Sequence, residues 1–204
     1  MVVVYLSIDN GKSLTLLSTT NAKTLALASF NKLKASLGLG SVTTVSAYTD
    51  FLVQAFVLAT VPVYDASVKR RSVAPKKVYA VDTGLANRVS LSFSHNLGAL
   101  TENMVFLELL RRGADVSYYR TASGCKVDFA CRRGRALAEL VQVTLSLADP
   151  QVRTREVSAM AEALDEQELN VGLVLTESDR EDIVVGKRTI KVRPLAGWLC
   201  GLDG

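Results

Sequence analysis

The sequence predicts a mixed α/β protein in two parts, a helix-turn-helix with a short β-hairpin over residues 1–74 and an α-β-β-β-α-β domain over residues 75–204. Three observations carry this reading. Two stretches between residues 25 and 56 repeat apolar residues at helical spacing with glycine between them, whereas beyond residue 114 the apolar residues alternate or run together as strands do. The composition, 49% hydrophobic and 22% charged, is that of a folded globular chain. At 204 residues there is room for one ordinary domain and a smaller one.

The first helix is "LALASFNKLKASL", residues 25–37, and Gly38 stops it. In "GSVTTVSAYTDFLVQAF" Ser41 caps a second helix whose inward stripe is Val45, Tyr48, Leu52 and Phe56. The next segment, "VLATVPVYDASVKRRS", is valine-rich and contains Pro62, which suits an edge hairpin with Lys69, Arg70 and Arg71 at its tip. Helix, turn, helix and a hairpin with a basic tip make a winged helix. A connector with one short strand at 78–81 follows. Then come a helix over 97–112 closed by Gly113 and strands over 116–121, 125–132 and 137–145. Asp149 with Pro150 opens another helix, with Val157, Met160, Ala161 and Leu164 on one face. "NVGLVLT" reads as a buried strand, "DIVVGKRTIKVRP" as a hairpin turning at Gly186, and a short helix surrounds Trp198.

Several functions are disfavoured by what the sequence contains. The longest apolar run, residues 51–64, is shorter than the roughly 18 to 20 residues of a membrane-spanning helix. The opening "MVVVYLSIDN" has no signal-peptide pattern, so a cytoplasmic location is expected. Cys125, Cys131 and Cys200 form no CxxC pair, and with His95 alone they make no zinc set. "DNGKSLT" ends like a phosphate-binding loop, but the first glycine of that motif would fall on Leu6, so ATP hydrolysis by these residues is not expected. Residues 1–77 hold nine Lys/Arg against three Asp/Glu, and the remainder fifteen against seventeen. The basic surplus lies in the first part, as a polyanion partner would require.

Strand parity bounds the candidate site, because residues two apart share a face. It groups Lys126, Asp128 and Ala130 on one strand and Gln142 with Thr144 on the next, and it keeps Glu139 away from Gln142 unless a bulge intervenes. Glu102 lies on the apolar stripe of its helix, so its carboxylate is expected to be buried and partnered, near Asp128, Lys126 or Arg120. Glu108 is followed by Arg111 and Arg112 at three and four residues, a surface pairing.

The phrases "KKVYAVDTGLANRVS", "GALTENMVFLELLRRG", "VSYYRTASGCKVDFAC" and "ELVQVTLSLADPQVRTREV" resemble the C-terminal half of a group of archaeal and bacterial AAA-type ATPases. There a winged helix precedes a domain of unknown function with the restriction-endonuclease fold, and the resemblance runs from about residue 25 onward. It implies that Glu102 and Asp128 stand at the first two positions of a nuclease centre, with Lys126 as a candidate displaced lysine. The next two positions fall on Gln142 and Thr144, where active nucleases carry an acidic residue and a lysine. A neutral amide brings no charge to a hard dication, so the centre is degenerate. The chain is therefore expected to be a DNA-associated accessory module without a cofactor, partnered by duplex DNA and by an ATPase core in cis or in trans, with self-association open. DNA contacts are expected from Thr43, Thr44, Ser46 and Thr49 and from Lys69, Arg70 and Arg71. Two alternatives stand beside this: a metal-dependent nuclease holding Mg²⁺ on Glu102 and Asp128, and an assembly module that binds no nucleic acid.

Overall fold

A computed structural model describes residues 34–35, 38–84, 97–134 and 136–202, together with the backbone of two short strands, Tyr5–Ile8 (β1) and Lys12–Thr15 (β2). It divides into two compact units, Met1–Pro62 with Ser72–Asn103 and Val63–Arg71 with Met104–Gly204. His95 and residues 25–33 of the first predicted helix lie outside the described residues.

In the first unit β1 and β2 form an antiparallel pair. Lys12 and Ser13 thus lie in a strand, whereas a phosphate-binding loop would have them open a helix. Lys34 and Ala35 are helical, and the chain leaves that helix through Gly38 at φ 61°, with the Leu39 N–H donating to the Lys34 carbonyl at 3.0 Å. This is a left-handed helix stop, which glycine adopts without a Cβ penalty. Helix α1 (Val42–Gln54) starts at Ser41, whose hydroxyl accepts from the Thr43 N–H at 3.1 Å. Val45, Thr49 and Leu52 form its buried stripe, and Leu52 packs with Leu58 and Val78. Phe56 does not continue that stripe as expected. The helix ends at Gln54, Phe56 takes φ 55°, and its ring is 81% exposed.

The expected hairpin within residues 57–72 is replaced by a longer connection. Strand β3 (Leu58–Val61) pairs antiparallel with β4 (Lys77–Ala80), from Leu58 opposite Ala80 to Val61 opposite Lys77. The strand at 77–80 therefore belongs with β3 and not with a connector beyond residue 74. Lys69, Arg70 and Arg71 sit on a short helix, α2 (Val68–Val73), and not at a hairpin tip. Local hydrogen bonding explains the difference. Asp65 accepts from the Ser67 N–H at 2.7 Å, and Ser67 accepts from the Arg70 N–H on its hydroxyl and from the Arg71 N–H on its carbonyl. A capped first turn outweighs the β preference of the flanking valines. Helix α3 (Leu97–Arg111) carries the boundary between the units, after Asn103.

The second unit is built on a six-stranded mixed sheet in the order β5-β6-β7-β8-β10-β9. Its strands are β5 (Asp115–Arg120), β6 (Lys126–Arg133), β7 (Ala136–Val143), β8 (Val171–Thr176), β9 (Glu181–Val185) and β10 (Arg188–Pro194). Neighbours are antiparallel except that β8 runs parallel to both β7 and β10. The crossover between β7 and β8 is helix α4 (Pro150–Glu166), capped by the Asp149 carboxylate with Pro150 at its first turn. Met160, Ala163 and Leu164 of α4 pack on Val127, Ala130, Leu140, Val174, Ile190 and Val192. Burying each larger apolar side chain contributes about 1.5–3 kcal/mol before entropy is counted, so this layer is the main source of stability in the unit. Phe129 stacks with Phe106 of α3 at 6.4 Å, and the Arg112 guanidinium lies 4.1 Å over Trp198 of the last helix, α5 (Leu195–Leu199).

The strand parity expected for β6 fails at one point. The register with β5 passes from Ser117 opposite Ala130 to Tyr119 opposite Val127, leaving an extra residue on β6 across from Tyr118. Val127 and Ala130, three apart, thus join the same core layer with α4, while Phe129 meets Phe106. A bulge re-aims side chains in this way, and here it falls at Asp128. No helix among the described residues is long and apolar enough to cross a membrane.

Candidate functional site

Asp128 and Gln142 meet on adjacent strands. The Asp128 N–H donates to Oε1 of Gln142 at 2.9 Å, and Oδ2 of Asp128 accepts from the Val143 N–H at 3.0 Å. The Gln142 carboxamide then donates through Nε2 to Oε2 of Glu156 on α4 at 2.7 Å. Glu156 is buried, and its other oxygen, Oε1, accepts from Arg155 through Nε at 2.9 Å and through a terminal guanidinium nitrogen. The result is a line of bonds from the Arg155 guanidinium through Glu156 and Gln142 to the Asp128 backbone.

The chemistry of the amide explains the line. Gln142 has an acceptor for the backbone N–H and a donor for the carboxylate, and both are used. A glutamate at this position would have no proton to give and would set two carboxylates in contact inside the protein. The neutral residue therefore lets Glu156 stay in place without a cation. Among the described residues no group of three His, Cys, Asp or Glu side chains is placed to hold a metal ion. Thr144 extends the strand instead of supplying charge, with its N–H donated to the Leu175 carbonyl at 3.0 Å. Lys126 is exposed, with Arg120 as its register partner on β5.

Glu102 belongs to the first unit, whereas Asp128, Gln142 and Thr144 belong to the second. As expected it is partnered and mostly buried, but the bonds come from β4. Oε1 accepts from Lys77 Nζ at 2.9 Å and from the Tyr79 hydroxyl at 2.6 Å. Lys77 is only 2% exposed, so this ion pair is shielded from solvent. Beside it, the Asn103 carboxamide accepts from the Ala80 N–H at 2.8 Å and donates to the Ala80 carbonyl at 2.9 Å, pinning α3 to β4. Sequence reasoning missed Lys77 and Glu156. The signals were present: Lys77 and Tyr79 share a strand face, and Glu156 lies on the stripe of Ala159, Met160 and Ala163.

Of the residues expected to face DNA, Thr43 is exposed and Thr44 and Ser46 are half-buried. Thr49 is not available. It is buried, with its hydroxyl donated to the Val45 carbonyl at 2.9 Å, because it falls on the helix stripe that packs inward. Asp50 is exposed beside it. Lys69 and Arg70 are exposed and Arg71 half-buried, and Arg70 pairs with Asp65 at 3.1 Å. The paired arginines elsewhere have structural partners: Glu108 receives Arg111 at 2.6 Å and Arg112 at 2.7 Å, and Glu181 receives Arg153 at 2.6 and 2.7 Å.

Residues 8–96 match the family described as domain of unknown function DUF8612, and residues 97–196 match domain of unknown function DUF4143. The latter is found in AAA-ATPase-associated proteins. The chain is 35% identical over 141 residues to an uncharacterized protein of Methanocaldococcus jannaschii, covering 65% of this chain and 31% of that protein. It is 32% identical over 108 residues to an uncharacterized protein of Haemophilus influenzae, covering 53% and 26% respectively. The chain thus spans less than a third of the length of these curated relatives. A solved assembly of Thermococcus gammatolerans McrB AAA+ hexamers with bound McrC contains a chain similar at TM-score 0.36 and 11% identity, covering 83% of this chain and 45% of that one. A likeness at that level carries no argument about fold or partner.

Proposed function

We propose that the chain is an accessory module of an AAA-type ATPase, made of a winged helix, with β3 and β4 as its wing, and a restriction-endonuclease-like domain that no longer cuts DNA. The single observation that carries this reading is the Gln142 bridge from the Asp128 backbone to Glu156. It fills, with neutral and paired groups, the place where a nuclease would need converging anionic oxygens for Mg²⁺. Support for the fold comes from the element order α3-β5-β6-β7-α4-β8 and from a sheet antiparallel up to β7 and parallel across α4. Support for the ATPase association comes from the match of residues 97–196 to a domain of AAA-ATPase-associated proteins.

Incubation of the purified chain with supercoiled plasmid and duplex oligonucleotides in Mg²⁺ or Mn²⁺ tests the nuclease half of the proposal. Intact DNA is expected. Cleavage by the wild type that is lost in Asp128→Ala and in Glu102→Ala would overturn it and establish the nuclease alternative.

A further inference from the structure

The two edges of the six-stranded sheet end differently. Along β5 the chain itself lies against the strand, with Val63 bridging Tyr118 in parallel and the Tyr64 N–H donating to the Tyr118 carbonyl at 2.7 Å. At the opposite edge β9 pairs with β10 alone among the described strands, and Val184 is 71% exposed. The outward-facing groups of that edge follow from β10. Thr189 turns its N–H toward the β8 side, onto the Asn170 carbonyl at 2.9 Å. A strand residue directs its N–H and C=O to the same side, so Thr189 and its partner Val184 exchange no hydrogen bond. Val184 therefore turns both backbone groups outward, and Asp182, two residues earlier, does the same.

We propose that β9 pairs antiparallel with β9 of a second copy of this chain, about a two-fold axis at Val184, joining two sheets into one. The hydrogen-bond parity is self-complementary there, since Val184 meets the partner's Val184 and both expose the groups that the pair exchanges. Charge is complementary as well. In "EDIVVGK", residues 181–187, this register sets Glu181 opposite the partner's Lys187, Asp182 opposite the partner's Gly186 and Ile183 opposite the partner's Val185. Edge strands that stay single are blunted by charge, proline or bulges. Here the acidic residues are drawn back by Arg153 and Arg193, and the middle of the strand, Ile183 to Val185, carries none of these devices.

Sedimentation velocity of the full chain from micromolar to submillimolar concentration tests this. A monomer–dimer equilibrium is expected for the wild type. Val184→Pro removes only an outward N–H, so a monomer with an unchanged circular dichroism spectrum is expected. Lys187→Glu, a surface change outside any fold contact described above, sets like charges opposite each other twice and weakens the dimer by about tenfold. In a Cys200→Ser background, Val184→Cys is expected to oxidise to a disulfide-linked dimer, because hydrogen-bonded strand partners have Cα atoms about 5.5 Å apart, within disulfide range. A monomer at every concentration, a dimer that survives Val184→Pro, or a dimer in which Val184→Cys stays reduced would each overturn the proposal.

Discussion

At the scale of single residues, a carboxamide and a carboxylate have nearly the same shape, and position 142 shows what the difference in charge does. Gln142→Glu is expected to destabilise the protein by about 2–4 kcal/mol at neutral pH, since it removes the donor to Glu156 and places two carboxylates together. The sign with pH follows: two close carboxylates raise the pKa of one, and an acid whose pKa is raised on folding loses stability as pH rises. Urea titrations at pH 4 and pH 7 are expected to show the smaller deficit at the lower pH. Glu108 behaves in the opposite way. Its hydrogen bond from Arg111, helped by Arg112, lowers its pKa from 4.5 to about 2, against the desolvation that would raise it. A depressed acid pKa contributes stability above its unfolded value, so the advantage of wild type over Glu108→Gln is expected to hold at neutral pH and to close as pH falls from 4.5 toward 2. Burial, with the Glu139 charge adding to it, pushes the Cys131 thiol up to about 12. Peptide mapping after brief alkylation of the native protein is expected to find the exposed Cys200 modified and Cys131 intact.

At the scale of elements, the second part of the fold was legible because its periodicities are long and unbroken. The strand and helix over 136–166 and the hairpin at Gly186 fall within two residues of where alternation and capping put them. Two features were hidden for physical reasons. The basic segment at 69–71 is helical because Asp65 and Ser67 cap it, a local bond pattern that outweighs the valine content on which the hairpin reading rested. The bulge at Asp128 adds one residue to a strand, and no composition signal marks it. It flips the parity on which the candidate site was drawn. The pairing of Gln142 with Glu156 needed the angle of α4 on the sheet, which lies beyond strand parity. That angle is set by close approach. A Cβ at Gly172 would come within 2.6 Å of Met160 Sδ and 2.9 Å of its Cγ. Gly172→Ala is thus expected to cost about 1–3 kcal/mol in urea unfolding, the usual range for overpacking. The cost is expected to shrink when Met160→Ala is already present, so a double-mutant cycle measures the contact.

At the scale of the whole molecule, the charge asymmetry remains the strongest sign of a polyanion partner, and the structure changes how strongly it can act. Thr49 is turned inward, Asp50 is exposed on the same helix, and Arg70 is held by Asp65, so the set expected to face DNA is thinner than its sequence suggested. Thr43, Thr44 and Ser46 carry short hydroxyls, which read bases poorly compared with arginine or asparagine. Whatever affinity exists then comes from phosphate contacts, chiefly by Lys69, Arg70 and Arg71. Two or three such contacts give a log–log salt slope of roughly −2 to −3, at about 0.9 per phosphate. Fluorescence anisotropy of labelled duplex is expected to show weak binding with little sequence preference, falling about tenfold to sixtyfold between roughly 50 and 200 mM salt. Replacing all three basic residues by alanine is expected to abolish it and to leave unfolding by urea nearly unchanged, because these side chains lie on an exposed helix outside the core. If the wild type shows no binding at the lower salt, or if the triple substitution binds as well as the wild type, the first part serves assembly with an ATPase core and the DNA reading falls.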